Sequence, residues 1–316
     1  MSIRRNIHKY RPKTDPLFQH HKKLREARKN KPHSLPTALK HHRSLHSSNN
    51  PVLLNNLSTQ SPRMPRQIVN IDLFTLINSA PITETLSVEL PDYTSSQIHE
   101  LATEWRKSQI QYALRLNSMQ TYLPFSKIIA ASLRATLPSI STKSFNTLTT
   151  AYGKLPVYSD VAPFLQKMAE LGRKQSTYVH ANADPALMKS LVSANAPLVE
   201  FFSPDRIVTV EREGCYKPCP RAYAGFLNAP GVANEDSGFD SDTAEVSDEA
   251  GRNVVLVSAH PWDVVGAKNC GWRTVLVDRK GEGWTDGVGA ELGLSPDEIV
   301  RSLEDVPGAL QRVGGQ

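Results

Sequence analysis

Five polar residues stand where short apolar runs give out. Asp72 follows QIVNI, Asn182 follows a run ending in His180 and Ala181, and Lys217 follows a turn in EREGCYKP. Ser258 and Asp263 follow VVLV. If the runs are parallel strands of one open sheet, their carboxyl ends share an edge, and ligands bind at such edges. Two carboxylates and an ammonium gathered there are the parts of a nucleophilic site. The lysine keeps an aspartate ionised, and the ionised carboxylate can displace a leaving group from carbon. Each residue alone has a plainer account. Asp72 or Asp263 could cap a helix or strand end, Asn182 could form a turn, Lys217 could be a solvated cation, and Arg106 a helix-surface charge. Only their joint order makes the chemistry specific.

Other chemistries leave no trace. There is no Walker loop, GxGxxG, HExxH, serine elbow or CxxC. Cys215 and Cys219 flank Tyr-Lys-Pro at a spacing met in some metal sites, but with no second Cys or His pair nearby they read as free thiols. With Cys270 they make three cysteines, an odd number that builds no disulfide framework and fits a reducing compartment.

The elements that must hold these groups follow from periodicity. Residues 254–257 are an unbroken apolar run, the pattern of a strand covered on both faces. A helix over 264–270, stopped by Gly271, and a strand over 274–277 complete a βαβ unit. Between the first strand and the next lie three amphipathic stretches. One carries Ile98, Leu101, Trp105 and Ile110 and is capped by Ser95 or Ser96; the others cover 124–137 and 141–152. Consecutive helices between two strands predict an inserted helical cap. Alternation then resumes, with a helix over 161–172, a strand over 176–180, a helix over 185–194, a broken strand over 201–210 and a helix over 220–228. SPDEIVRSLED predicts a last helix over 295–314, with Ser295 as cap and Glu298 completing the capping box.

The chain of 316 residues is a mildly acidic body with a basic arm. Residues 1–66 hold 15 Lys/Arg against 2 Asp/Glu, and the rest hold 22 against 29. The arm has too little apolar surface to offset its ordering entropy, so disorder is expected. It reads as a solvated tail, as an upstream extension with Met64 as the true start, or as a segment for nucleic-acid contact, nuclear import or organelle targeting. Residues 231–251, with seven Asp/Glu, read as a flexible acidic surface loop. No apolar run approaches the length of a membrane span, and the N-terminus has no apolar signal region, so a cytoplasmic chain is expected.

The ordered residues carry a resemblance. Over residues 68–306 the chain resembles the haloacid dehalogenase superfamily, and within it the type II, L-2-haloacid dehalogenase branch. IDLFTL is similar to the first motif, a strand ending in Asp. EWRKSQIQYALRLNSMQTYLPF is similar to the Trp-Arg helix of the branch's cap. VHANADP stands for the second motif, Tyr216-Lys217-Pro218 for the third and SAHPWDVVGAK for the fourth. The resemblance implies a Rossmann-like α/β parallel-sheet core (67–84 and 153–316) with a helical cap (85–152). It implies that Asp72 attacks the α-carbon of a small 2-halocarboxylic acid and expels halide, leaving an ester that water hydrolyses. Lys217 would balance Asp72, Asp263 would orient Lys217 or help activate water, and Ser258 would hydrogen-bond a carboxylate. Arg106 would clamp the substrate carboxylate or receive the halide, and Asn182 would lie beside the halide. His260 stands where the branch often has Asn, and Phe74 and Trp262 would be apolar walls. No cofactor or metal is implied. Phosphatase members carry a second Asp where this chain has Phe74, and halide needs no protonation to leave. A homodimer is left open.

Two departures bear on activity. The branch has Gly-Thr after the aromatic of its first motif, and this chain passes directly from Phe74 to Thr75. The second-motif Ser is Ala181. Three functions therefore stand side by side: a metal-independent hydrolase, a catalytically impaired relative acting as a binding or regulatory protein, and, weakest because the body is acidic, a nucleic-acid-binding protein.

Overall fold

Short runs of β-branched residues and leucine make the sheet. The computed structural model describes residues 67–230, 232, 251 and 253–314. The expected basic arm (1–66) lies outside the described residues, as does the acidic stretch apart from Val232 and Gly251. Strands β1 (Ile68–Asp72), β2 (Thr177–Ala181), β3 (Ile207–Thr209), β4 (Val254–Ser258), β5 (Arg273–Val277) and β6 (Glu298–Val300) form one sheet in the order β3-β2-β1-β4-β5-β6. Every pairing is parallel. Both faces are covered, as the continuous apolar pattern requires. Val255 and Val257 pack on one side, and Val254 and Leu256 on the other with Tyr223, Phe226 and Trp272. The chain steps from β1 out to β3, then crosses back to β4 and steps out to β6. The order reverses beside β1, so a crevice opens at the carboxyl ends of β1 and β4. Asp72 is the last residue of β1, and Ser258 of β4.

One helical turn, α1 (Leu73–Leu76), follows Asp72 directly. Helices α2 (Pro81–Glu89), α3 (Ser95–Ser118), α4 (Phe125–Thr136) and α5 (Thr142–Ala151) lie between β1 and β2, where the inserted cap is expected over 85–152. Trp105 in α3 is buried, and its indole N–H donates to Ile129 O (3.1 Å) and Ser132 Oγ (3.0 Å), which locks α3 onto α4. Asn117 joins cap to core through the Tyr216 backbone, donating to its carbonyl (2.7 Å) and accepting its N–H (2.9 Å). Asp184 does the same at the start of α4, accepting the Ser126 N–H at 2.8 Å. After the cap come α6 (Val161–Glu170), α7 (Pro185–Ser193), α8 (Ala196–Phe201), α9 (Pro220–Leu227), α10 (Pro261–Asn269), α11 (Gly287–Leu292) and α12 (Val306–Gly314). Gly172 and Gly271, expected as helix stops, have φ of +65° and +76°, the left-handed conformation that ends a helix without a Cβ clash. Among the described residues no helix is long and apolar enough to cross a membrane.

Four local expectations are not met. The cap of α3 is Thr94, not Ser95 or Ser96, and it forms a capping box with Gln97 (2.8 Å and 3.3 Å). The helix expected from 295 is instead β6 and then α12. Asp297 pins this strand beside β5 by accepting from the Thr274 N–H (2.7 Å) and Lys268 Nζ (2.8 Å), and Glu298 pairs with Arg312 rather than closing a capping box. The strand expected over 201–210 is α8, a single turn and only three residues of β3. The buried Arg206 guanidinium ties that turn to the carbonyls of Phe201 and Lys174. Helix α10 begins at Pro261, and Asp263 does not cap it.

Candidate active site

Parallel pairing places the end of β1 beside β2 and β4, and the side chains anticipated at these strand ends meet there. Lys217 lies at the centre. Its Nζ donates to Asp72 Oδ1 (2.9 Å), Asp263 Oδ2 (2.9 Å) and the His180 carbonyl (3.3 Å), which uses all three N–H groups. All three charged side chains are buried. Burial would push the Asp72 carboxyl up, but the Lys217 charge and the His260 contact outweigh it and hold the group well below the usual carboxylate range. Burial would likewise lower Lys217, and the charges of Asp263 and Asp72 reverse that and raise it. Asp72 is therefore an ionised carboxylate at neutral pH.

The turn after Asp72 accommodates the missing glycine. No residue from Asp72 to Ile77 has a positive φ, because the shortened segment folds as the helical turn α1. Thr75 still returns to the carboxylate, its Oγ1 lying 3.4 Å from Asp72 Oδ2 and accepting the Ala259 N–H at 2.7 Å. Arg279 supports the turn from below, donating to Thr75 O (3.0 Å) while it pairs with Asp160 through two bonds of 2.9 Å.

Above Asp72 is a cavity of about 200 Å³ between core and cap. Asp72, Lys217, Asn182, His260, Phe74 and Trp262 line it from the core, and Arg106, Gln109, Ile110 and Phe125 from the cap. Most of the wall is apolar. Arg106 enters from α3 and is tethered by Ser79 Oγ. His260 Nδ1 is 3.1 Å from Asp72 Oδ2, and its ring lies 5.5 Å from that of Trp262.

Asn182 lines the cavity, but both ends of its amide are engaged. Its Oδ1 accepts the Lys217 N–H (2.8 Å) and its Nδ2 donates to the Lys217 carbonyl (3.1 Å), so it fixes the lysine's backbone. Two predicted residues do not reach the cavity wall. Strand alternation turns Ser258 to the face of Val254 and Leu256, and its Oγ accepts the His260 N–H at 3.1 Å rather than meeting a carboxylate. Asp263 lies behind Lys217, fully buried.

Several contributors escaped sequence reasoning. Tyr223 donates its hydroxyl to Asp263 Oδ1 (2.6 Å), and the same hydroxyl oxygen lies 3.1 Å from the Asp263 carbonyl. Nothing in an apolar helix marks one tyrosine as a carboxylate ligand. Gln109, which donates to Tyr152 Oη at 2.7 Å, could have been found, because it sits three residues after Arg106 on the same helix face. Tyr223→Phe should cost about 1.5–3 kcal/mol, the worth of a hydrogen bond to a charged acceptor. Urea unfolding reads it, and a loss below about 0.5 kcal/mol would mean that Tyr223 adds no more than a surface residue does.

His180, in β2, is buried, and its Nε2 finds no partner among the described residues. Burial, then the Lys217 charge, push its pKa well down, so it stays neutral. The unfolded chain takes up a proton below about pH 6.5 and the folded chain does not. The fold should therefore lose stability as pH falls through that value, by up to about 1.4 kcal/mol per pH unit. His180→Phe should remove this slope, and unfolding curves at several pH values between about 4.5 and 7 would show whether it does.

A Rossmann-order parallel sheet, a helical cap inserted after its first strand, and a carboxylate–ammonium–carboxylate row at the switch point define a capped core with a candidate aspartate nucleophile. In sequence and fold the chain resembles the type II, L-2-haloacid dehalogenase branch of the haloacid dehalogenase superfamily. It is 26% identical over 221 residues to the (S)-2-haloacid dehalogenase of Pseudomonas sp. (strain YL), covering 69% of this chain and 84% of that one. It is 26% identical over 233 residues to the (S)-2-haloacid dehalogenase of Xanthobacter autotrophicus, covering 67% and 83%. Its fold matches that of the L-2-haloacid dehalogenase from Xanthobacter autotrophicus with chloropropionic acid covalently bound, with a TM-score of 0.59 at 22% identity over 78% of this chain and 98% of that one. No family model matches the chain. The relatives are dehalogenases, so a hydrolase is the class they support.

Proposed function

We propose that the chain is a metal-independent hydrolase that removes halide from small 2-halocarboxylic acids through an ester on Asp72. The observation that supports it best is an ionised Asp72 in a mostly apolar cavity that Arg106 lines from the helices inserted after β1. Arg106 pairs with the substrate carboxylate and presents the α-carbon to Asp72, a geometry that suits a planar fork of donors. Asp72 displaces the halogen from that carbon. The halide is a weak base and leaves without a proton. Phe74 and Trp262 keep water from solvating the nucleophile. Lys217 holds Asp72 ionised, and Asp263, tied to Lys217 and Tyr223, orients the lysine. Residues 85–152 act as the lid that carries Arg106 over the core.

Ala181 supplies no hydroxyl near the intermediate, and its neighbour Asn182 is spent on Lys217. Losing one such donor slows a related acyl-transfer site by on the order of 10²–10³. A slow dehalogenase fits this site. The test is halide release from (S)-2-chloropropanoate by the purified chain. Catalytic release, with KM raised in Arg106→Ala, supports the assignment. Absence of release across chloro, bromo and fluoro acids would leave the chain a non-catalytic relative.

A further inference from the structure

We propose that Cys215 and Cys219 are an oxidisable dithiol that switches the site off: a peroxide joins them as a disulfide, and the new bond draws Lys217 away from Asp72. The effect on turnover rests on the assignment of Asp72 as nucleophile, and the oxidation itself does not. Two of the chain's three cysteines bracket Tyr216-Lys217-Pro218. The turn between them is closed by the Cys219 N–H, which donates to the Tyr216 carbonyl at 3.0 Å. It folds the two side chains together. Both are free thiols, they share a hydrogen bond, and the Arg221 guanidinium reaches Cys215. Thiols that already meet have the converging Cβ directions a disulfide requires.

The partners are unequal. Cys215 is buried and Cys219 is partly exposed. The hydrogen bond from Cys215, then the backbone N–H and the charge of Arg221, lower the Cys219 thiol to about 6 against the effect of burial. The same hydrogen bond and burial push Cys215 up. Cys219 is therefore the thiolate that meets the oxidant, and Cys215 the thiol that resolves the product. The Cys219 sulfur attacks one oxygen of hydrogen peroxide, the O–O bond breaks, and hydroxide leaves. Cys219 is then a sulfenic acid. The Cys215 sulfur attacks that sulfur, the S–O bond breaks, and the hydroxyl departs with the Cys215 proton as water. The sulfurs lose two electrons and the peroxide gains them. Hydroxide takes up the proton that Cys219 had shed, which makes the second water.

Lys217 is the middle residue of the loop that the disulfide closes. The segment is braced on both sides. Asn117 holds the carbonyl and N–H of Tyr216 (2.7 and 2.9 Å), and Asn182 the N–H and carbonyl of Lys217 (2.8 and 3.1 Å). Beyond Cys219, helix α9 is anchored by Tyr223 on Asp263 at 2.6 Å. Drawing the sulfurs to about 2 Å has to be absorbed within this segment. Lys217 Nζ must keep Asp72 and Asp263 both at 2.9 Å, and a misplacement of about 1 Å at a reacting group costs on the order of 10²-fold.

The test treats the full-length wild type, Cys215→Ser and Cys219→Ser with hydrogen peroxide and maps the products by mass spectrometry. Wild type should lose two hydrogens and show Cys215 joined to Cys219. Cys215→Ser should stop at a sulfenic acid on Cys219, trapped by a 1,3-dione. Oxidised wild type should release halide from (S)-2-chloropropanoate about 10²-fold more slowly, a dithiol reductant should restore it, and Cys219→Ser should be insensitive to peroxide. Urea unfolding reads the lysine without substrate: a crosslink that unseats Lys217 lowers the midpoint, and one that leaves it seated does not. Wild type that forms no disulfide, or that joins Cys219 to Cys270, would overturn the proposal. So would a disulfide form with the midpoint of the reduced protein or, where that protein is active, with its turnover. A reduced wild type that releases no halide, while its Cys215–Cys219 disulfide forms and lowers the midpoint, would support the dithiol and overturn the hydrolase reading.

Discussion

Asp72→Asn should abolish halide release while leaving a folded protein. The amide keeps the shape of the carboxylate but is not a nucleophile toward carbon, so the loss is of the order of about 10⁴-fold or more, as for removal of a covalent nucleophile elsewhere. Its neighbours make the fold consequence small. Lys217 keeps Asp263 at 2.9 Å and the His180 carbonyl at 3.3 Å, so the ammonium is not stranded. Circular dichroism and urea unfolding check the fold, and a halide electrode reads the activity. Turnover by Asp72→Asn within tenfold of wild type, with no deamidation back to Asp detected, would require another nucleophile.

Lys217→Met should be the most damaging substitution to stability. It removes the one ammonium between two buried carboxylates, Asp72 and Asp263, and leaves them facing a hole in the dielectric that only a proton can fill. Breaking a buried pair by deleting one partner costs about 3–5 kcal/mol. The pH dependence should invert. In the wild type Asp72 is depressed, so its contribution is present above the unfolded value of about 4 and is lost as pH falls. Lys217 is raised, so its contribution is present below about 10.4 and is lost as pH rises through the folded value. In the variant, burial raises at least one carboxyl, and stability is then lost as pH rises above about 4. Unfolding at about pH 4.5 and 7.5 separates the two: wild type is no weaker at the upper pH, and the variant is markedly weaker.

Much of this site is legible from strand ends. Apolar runs of four or five residues fix where β1 and β4 stop, and a parallel sheet leaves their ends on one edge, so Asp72 and Asp263 could be paired on paper across 191 positions of chain, with Lys217 delivered by the turn after β3. Three of the four helices between β1 and β2 were legible from their periodicity, and α2 was not. What periodicity does not encode is a bond chosen by tertiary neighbours. Ser258 is spent on the His260 backbone, Asn182 on that of Lys217, and Tyr223 serves a carboxylate from inside an apolar helix. The end of the chain fails for the same reason. SPDEIVRSLED has a good local helix signature, and the open edge of β5, with Asp297 bonded to Thr274, outweighs it. The shortened segment after Asp72 reads as a defect in sequence because Gly is missing. A helical turn needs no positive φ, and Thr75 reaches the carboxylate from it.

The most direct test of Asp72 as a covalent nucleophile is a single turnover, with enzyme in excess over (S)-2-chloropropanoate, in water enriched in the heavy oxygen isotope. Attack through Asp72 predicts that the label enters the Asp72 carboxylate, found by mass spectrometry of the peptide spanning Ile68–Asp72, while the first 2-hydroxy acid released carries none. Label in the product and none in that peptide would mean that water attacks the substrate directly, and the central claim would fail.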